Sequence, residues 1–387
     1  MRKRTRQDII SRVKRVVVKV GSGVLTGENG LNMSVIEHLT TDICDLKRKG
    51  IEVILVSSGS IASGLKKLGL KKRPSSISQQ QALAAIGQSS LMKAYEEAFE
   101  RHDNKAAQVL LTRDDLTHRR RYLNARNTIF TLLSWSIIPV INENDTVVVD
   151  EIKFGDNDNL SAMVTNLIEA DLLLNLTNID GLFDKDPRVQ KDAKLIRVVN
   201  KIDRRISKLA STIPGFLGTG GMASKIKAAQ KVSLAGVPTI IGNGLKPGIL
   251  KKLFEGSEEG TLFMPKEVPL SCRKHWIAFT KSPKGEIIID PGAEKAILNK
   301  GKSLLPAGIR EVSGRFSMGD AVLLTNGAGE KLAVGMANYH SGDIKKIKGI
   351  KSSEIENTLG FKNDDDVIHR DNLILFSQIE EGEELCQ

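Results

Sequence analysis

Short apolar runs alternate with longer stretches of helical spacing over the first two-thirds of the chain. Residues 16–20 form an apolar run broken only by Lys19 and closed by Gly21, Ser22 and Gly23, the pattern of a buried strand entering a loop. From Ser34 onward, Val35, Leu39, Ile43 and Leu46 recur at helical spacing until Gly50 ends the pattern. Residues 51–56 read as a second strand, ending in Ser57, Ser58, Gly59 and Ser60, with a helix running to Leu68. The pattern then predicts a helix over 79–102, a strand over 107–111, a helix over 122–133 and a strand over 137–141. A helix from Asn159 and a strand over 172–176 follow. Beyond a charged, proline-containing loop over 184–192, a helix starts after Gly220 and Gly221, and 237–241 is the last predicted strand. Strands and helices that alternate with short joints predict an α/β fold with a parallel sheet covered on both faces and right-handed crossovers.

The texture changes near Gly256. Residues 256–272 mix Gly256, Gly260, Pro265 and Pro269 with charges and read as a linker. Beyond them, β-like runs at 276–279, 286–289, 321–324 and 332–334 are separated by glycine-rich turns, predicting a small β-rich domain with little helix. The two ends differ in charge. Between Arg2 and Arg15 stand seven basic residues and one acid, Asp8, an arm expected to fray or form a short helix, whereas 379–387 read as a disordered acidic tail.

Two polar clusters stand out against this background. Asn142, Glu143, Asn144 and Asp145 follow a strand, and Asp156, Asn157, Asp158 and Asn159 precede a helix. Open α/β sheets place ligands at such ends. Asp158 or Asn159 would serve as a helix cap, but capping needs one such residue and not eight. Lys19, Gly21, Ser22 and Gly23 suit a phosphate, because glycines admit backbone N–H groups and the lysine adds charge. A tight turn with a snorkelling lysine is the plainer alternative. The run is not a dinucleotide fingerprint, since Thr26 stands where the last glycine would be, and no Walker A loop occurs anywhere. Gly218, Thr219, Gly220, Gly221, Met222, Ala223, Ser224 and Lys225 form a second candidate cradle feeding a helix. A lysine in the first turn opposes the helix dipole, so a bound anion explains it better than a flexible loop does. Thr177 and Asn178 follow a strand and could hold a nucleotide or make a turn. His369, Arg370 and Asp371 match the start of a protein-kinase catalytic loop, but Phe376 stands where its asparagine belongs.

Composition narrows the classes. The 387 residues are 40% hydrophobic and 27% charged, ordinary for a soluble protein of two or three domains. No apolar run is long enough to span a membrane, and the basic N-terminus lacks the apolar core of a secretory signal. Cys44, Cys272 and Cys386 are few and far apart, which fits a reducing cytoplasm and excludes a disulfide framework or zinc spacing. The net charge of +11 invites nucleic acid as a partner, or equally an anionic small substrate. With only 4% aromatic residues, few platforms exist for stacking bases.

Six segments in order resemble the amino-acid kinase family: VVVKVGSGVLT (16–26), VSSGSIASG (56–64), LNARNT (123–128), INENDTV (141–147), FGDNDNLSA (154–162) and GTGGMASK (218–225). The match is strongest to the branch that phosphorylates the γ-carboxylate of L-glutamate, the first step of L-proline synthesis. The segment SLLPAGIREVSGRFSMGDAV (303–322) resembles a PUA domain, a small β fold also found in RNA-modifying enzymes. The resemblance implies a three-layer αβα sandwich with a mostly parallel sheet. The domain plan is an arm at 1–13, a catalytic domain at 14–265, a linker at 266–274, a PUA domain at 275–375 and an acidic tail at 376–387.

It also implies roles for particular residues. Lys19 and Lys225 would flank the phosphates of ATP as the catalytic pair. Gly21, Ser22, Thr177, Asn178 and 219–225 (Thr219, Gly220, Gly221, Met222, Ala223, Ser224 and Lys225) would line the ATP site. Ser58, Asp145 and Asn157 would hold glutamate, with Asp145 pairing its free ammonium. Asp156 and Asp158 would orient the lysines or assist Mg²⁺ through water, the ion itself being held mainly by phosphates. Three positions depart from the family pattern: Asn178 where aspartate is usual, Gly23 where serine is common, and Ala223-Ser224 where Ser-Thr is common. The resemblance further implies feedback inhibition by L-proline, a homodimer or homotetramer, and hand-over to a downstream reductase. RNA as a partner of the PUA domain stays open. A sibling kinase acting on aspartate, carbamate, N-acetylglutamate or UMP is the nearest alternative, and a chiefly RNA-binding protein is the more distant one.

Overall fold

The computed structural model describes residues 5–27, 30–148, 157–211, 221–266, 274, 277 and 283–379. They fall into two compact units, Met1–Pro269 and Leu270–Gln387. Of the acidic tail expected at 376–387, Phe376–Ile379 is instead helical with Phe376 buried, and the residues from Glu380 onward lie outside the described residues.

The first unit is built on an eight-stranded sheet. Its strands are β1 (Arg15–Val20), β4 (Glu52–Ser57), β5 (Ala106–Leu111), β6 (Ile138–Glu143), β7 (Leu172–Thr177), β8 (Val198–Val199), β9 (Thr239–Asn243) and β10 (Thr261–Phe263), and a separate small hairpin pairs β2 (Thr26–Gly27) with β3 (Gly30–Leu31). The sheet order is β5-β6-β4-β1-β7-β9-β10-β8. β5, β6, β4, β1, β7 and β9 are parallel, whereas β10 runs antiparallel to β9. β1 therefore has β4 on one side and β7 on the other, so the chain changes direction across the sheet at β1. Ligand crevices form at such a switch point, beyond the carboxyl ends of the strands.

Two apolar layers follow from strand alternation. Val16, Val18, Val20, Val53, Leu55, Leu172 and Leu174 pack on one face, under the helices Met33–Arg48 and α2 (Ile77–Glu100). Val17, Ile54, Val56 and Leu173 pack on the other, under the helix Arg119–Ser134, α3 (Asn157–Leu167) and α4 (Met222–Leu234). The sheet with helices on both faces is the αβα architecture expected from the alternation of elements.

The structure adds to the sequence reading at three places. Residues 256–272 are not simply a linker: Thr261–Phe263 is a buried strand, and the Thr261 hydroxyl accepts the Leu182 N–H at 2.8 Å. A strand of three residues is too short to show a period, and its flanking glycines and prolines masked it. The helix Ile249–Phe254 was missed for the same reason of length. The N-terminal arm forms the short helix Arg6–Ile10, but Ile9, Ile10 and Val13 are buried in the main core and the Arg6 guanidinium donates to Ser257 O and Glu259 O.

The second unit contains a five-stranded sheet of order β12-β11-β13-β14-β15, from β11 (Gly285–Ile289), β12 (Ile309–Gly314), β13 (Ala321–Thr325), β14 (Lys331–Met336) and β15 (Leu373–Leu375). It holds more helix than its sequence texture implied. The helix Pro291–Lys300 is capped by Asp290, begins on a proline and ends at Gly301 with φ 57°. Two more, Ser341–Ile347 and Ile355–Leu359, contribute Ile344, Ile347 and Ile355 to the core. Of the expected β run at 276–279, only Ile277 is described, and it is helical.

One contact in the first unit positions the crevice directly. The helix α1 (Ser60–Lys67) lies against α2 with backbone touching backbone. A Cβ on Gly87 would stand 1.8 Å from Ser60 O, and one on Gly64 would stand 2.0 Å from Leu83 O. Neither helix can give way without moving the end of β4. Gly87→Ala should therefore lower the free energy of unfolding by about 2 kcal/mol or more. A urea midpoint unchanged from wild type would contradict this packing.

Candidate active site

β1, β4, β6 and β7 end side by side, and each delivers polar atoms to one crevice. Within β1, Lys19 shares the face of Val17, under α3 and α4. Its ladder neighbour on β7 is Asn175, a polar residue set among leucines and on that same face. Both reach Asp158 in the first turn of α3. Lys19 Nζ lies 2.5 Å from Asp158 Oδ1, and Asn175 Nδ2 donates to that oxygen at 2.9 Å. The other carboxylate oxygen takes Lys225 Nζ at 3.1 Å and the Ser224 hydroxyl at 2.5 Å, both from α4. Lys19 is 4% exposed, Lys225 5% and Asp158 1%, so this is a buried ionic cluster.

Its electrostatics follow from that burial. Loss of water pushes the Lys19 ammonium down to about 8; Asp158 works against the shift, and the nearby Lys225 adds to it. Burial disfavours the Asp158 carboxylate too. Lys19 and Lys225, with hydrogen bonds from Lys19 and Ser224, outweigh that and hold it far below the usual carboxylate range. Two ammonium groups thus converge on one carboxylate beside the start of α4, a lining suited to an anion.

The loops around the cluster are close-fitting. A Cβ on Gly21 would lie 3.5 Å from Leu176 O and 3.8 Å from Lys19 Nζ, filling the space beside the ammonium. Ser22 opens the short helix Ser22–Leu25. A Cβ on Gly23 would lie 3.4 Å from Asn178 Nδ2, so the loops after β1 and β7 pack together, with Thr177 half-buried beside them. Gly221 precedes α4, and Ser224 and Lys225 both donate to its carbonyl. Ala223 is half-buried, whereas the Met222 side chain is buried with Leu182, Ile226 and Phe263.

A second polar group lies at the ends of β4 and β6. Asn157 Nδ2 donates to Ser58 Oγ at 2.8 Å, and lies 3.1 Å from both Ser57 O and Asn142 Oδ1. Ser60 Oγ donates to Asp145 Oδ2 at 2.8 Å. Behind them, the Ser57 and buried Tyr95 hydroxyls are 3.0 Å apart, and burial raises the Tyr95 phenol well above its ordinary value.

Lys19, Asp158, Ser224 and Lys225 are therefore brought together, as are Ser58 and Asn157, with Asp145 joined to Ser60. Asp156, Thr219 and Gly220 lie outside the described residues. Sequence reasoning did not single out Asn175, or Gln88, whose Oε1 accepts from Asn142 Nδ2 at 2.7 Å. Asn175 carried a signal, since an asparagine within LLLNLT is out of place in a buried strand. Among the described residues, no group of three or more His, Cys, Asp or Glu could hold a metal ion. No helix among them is long and apolar enough to cross a membrane.

The family model described as the amino acid kinase family matches residues 14–243, and that of the PUA domain matches 285–359. The glutamate 5-kinase of Geobacter sulfurreducens is 52% identical over 371 residues, spanning 96% of this chain and 100% of that protein. That of Syntrophotalea carbinolica is 50% identical over 370 residues, 96% of this chain and 99% of its own. That of Geobacter metallireducens is 54% identical over 371 residues, again 96% and 100%. Among solved structures, the UMP kinase of Bacillus anthracis aligns with 65% of this chain and 96% of its own, at 18% identity and a TM-score of 0.45.

Removing the charge of Asp158 leaves two buried ammonium groups without their shared carboxylate. Asp158→Asn should cost about 3 kcal/mol or more of stability at neutral pH. Urea unfolding checks this, and a loss within error of zero would contradict the pairing.

Proposed function

This chain belongs to the amino acid kinase family, in which it groups with the glutamate 5-kinases, and from that premise we propose that it phosphorylates the γ-carboxylate of L-glutamate with ATP, the entry to L-proline synthesis. The observation that carries the reading is the buried pair Lys19 and Lys225 on Asp158, with Asn157, the residue before Asp158, bonded to Ser58, and Asp145 bonded to Ser60.

The chemistry needs no general base. Glutamate's γ-carboxylate is ionised at neutral pH, so one of its oxygens can attack the γ-phosphorus of ATP as it stands. The P–O bond to the β-phosphate breaks, ADP leaves, and no proton moves. The obstacle is repulsion between anions, which positioned positive charge must offset. Lys19 and Lys225 supply that charge on the transferring group, and Asp158 fixes both. Gly21 and Ser22 after β1, Thr177 and Asn178 after β7, and 219–225 would hold the nucleotide. When bound with ATP, Mg²⁺ adds further charge neutralisation at the phosphates. Asp145 would pair with the α-ammonium of glutamate, and Ser58 and Asn157 would fix the rest of the amino acid. L-proline shares the ammonium and α-carboxylate and would compete at these residues. The acyl phosphate product hydrolyses readily, so a site that excludes water serves the reaction.

Hydroxylamine converts an acyl phosphate into a stable hydroxamate. With ATP and Mg²⁺, the protein should yield hydroxamate from glutamate and none from aspartate or N-acetylglutamate. Product from a sibling substrate alone would move the assignment within the family, and no product from any of the three would overturn it.

The two clusters should separate kinetically. Lys19→Ala and Lys225→Ala should each lower kcat by about a hundredfold or more while glutamate binding changes little. Asp145→Ala should instead raise the KM for glutamate by about tenfold or more. Wild-type kinetics in these variants would refute the assigned roles.

A further inference from the structure

Each carboxylate oxygen of Asp158 takes one ammonium and one neutral donor. Oδ1 takes Lys19 Nζ and Asn175 Nδ2, and Oδ2 takes Lys225 Nζ and the Ser224 hydroxyl. Two positive charges already compensate the carboxylate, so charge balance does not call for the neutral donors. The contact also fixes the Asn175 amide. An ionised carboxylate can only accept, so the amide nitrogen must face it, as it does at 2.9 Å. Asn175 Oδ1 is thereby turned away from that oxygen, and it is buried without a hydrogen-bond partner among the described residues.

Fold stability gives little reason for an amide here. Asn175 is fully buried, with a leucine on either side of it in β7. Another leucine would fill much the same space and strand no acceptor. What the position does offer is its neighbour. The ladder sets Asn175 beside Lys19 on the face that carries Asp158, so the two side chains meet on one oxygen. The neutral donor draws off part of the negative field that Oδ1 directs at the ammonium. It also continues to serve Oδ1 when the ammonium leans toward another anion. With Lys19 as its sole donor, Oδ1 would hold the lysine harder and be left bare by any such movement.

We propose that Asn175 is a positioning residue that, by sharing Asp158 Oδ1 with Lys19, frees the lysine for the transferring phosphoryl group. The inference rests on the role read for Lys19 above. A charge that must stabilise the transition state is useful only as far as its resting partner releases it. Asn175 touches neither substrate in this account and acts through the Lys19–Asp158 contact alone.

The test is a double-mutant cycle in the hydroxamate assay, with kcat referred to the folded fraction of each preparation. Asn175→Leu should lower kcat about tenfold and leave the KM for glutamate within about twofold of wild type. Its urea midpoint should be no lower than that of wild type, since the exchange removes a stranded acceptor. Asn175→Ala also lacks the donor but leaves a cavity, so it should show the same fall in kcat at a lower urea midpoint. Either variant carries the test if the other does not fold. In a Lys19→Ala background there is no lysine to free, and adding either substitution should change kcat by less than about twofold. Wild-type kcat in the single variants, a rise in the KM for glutamate matching the fall in kcat, a fall that tracks lost stability, or one that persists without Lys19 would overturn the inference alone. Wild-type kcat in Lys19→Ala, or no hydroxamate from the wild-type protein, would overturn the reading of the site and the inference together.

Discussion

Taking two lysine ammonium groups out of water at the end of an apolar sheet is unfavourable unless a countercharge meets them. Asp158 meets both, and the arrangement of the crevice follows from it. One of its oxygens is held from β1 and β7 through Lys19 and Asn175; the other is held from α4 through Lys225 and Ser224. Three elements distant in sequence are thus tied to the first turn of α3. The cluster is structural glue and charge source at once.

Strand alternation decides which side chains can take part. Lys19 occupies the face of β1 that Val17 occupies, so it is directed toward α3 and not toward α2. A shift of one residue in β1 would turn the lysine into the apolar layer that holds Val18, Val20 and Leu55 and bring a valine to the carboxylate. The ladder pairing of Lys19 with Asn175 and Val56 prevents that shift. The register of the central strands is therefore part of the site.

Much of this was readable beforehand, for identifiable reasons. Long periodic elements such as Ile77–Glu100 and Met33–Arg48 announced themselves, and polar residues crowded at the ends of β6 and α3 marked the crevice. Elements of two to six residues, Val198–Val199, Ile249–Phe254 and Thr261–Phe263, carried too little pattern to be seen. Gln88 was invisible for a different reason. It stands in a helix where glutamine is unremarkable, and only the crossing at Gly87 brings it beside Asn142. A sequence shows which residues are unusual; it does not show which ordinary residue ends up next to them.

The two polar groups of the crevice are held by consecutive residues, Asn157 on the side of Ser58 and Asn142, and Asp158 on the side of the lysines. The peptide bond between them is trans, as are all the others described, so their Cα atoms are about 3.8 Å apart. Packing sets most distances in a crevice and can drift as helices breathe. The spacing between these two anchors has a different origin, because it is written into bond lengths. Whatever the crevice brings together, its two halves are gauged by a single covalent link.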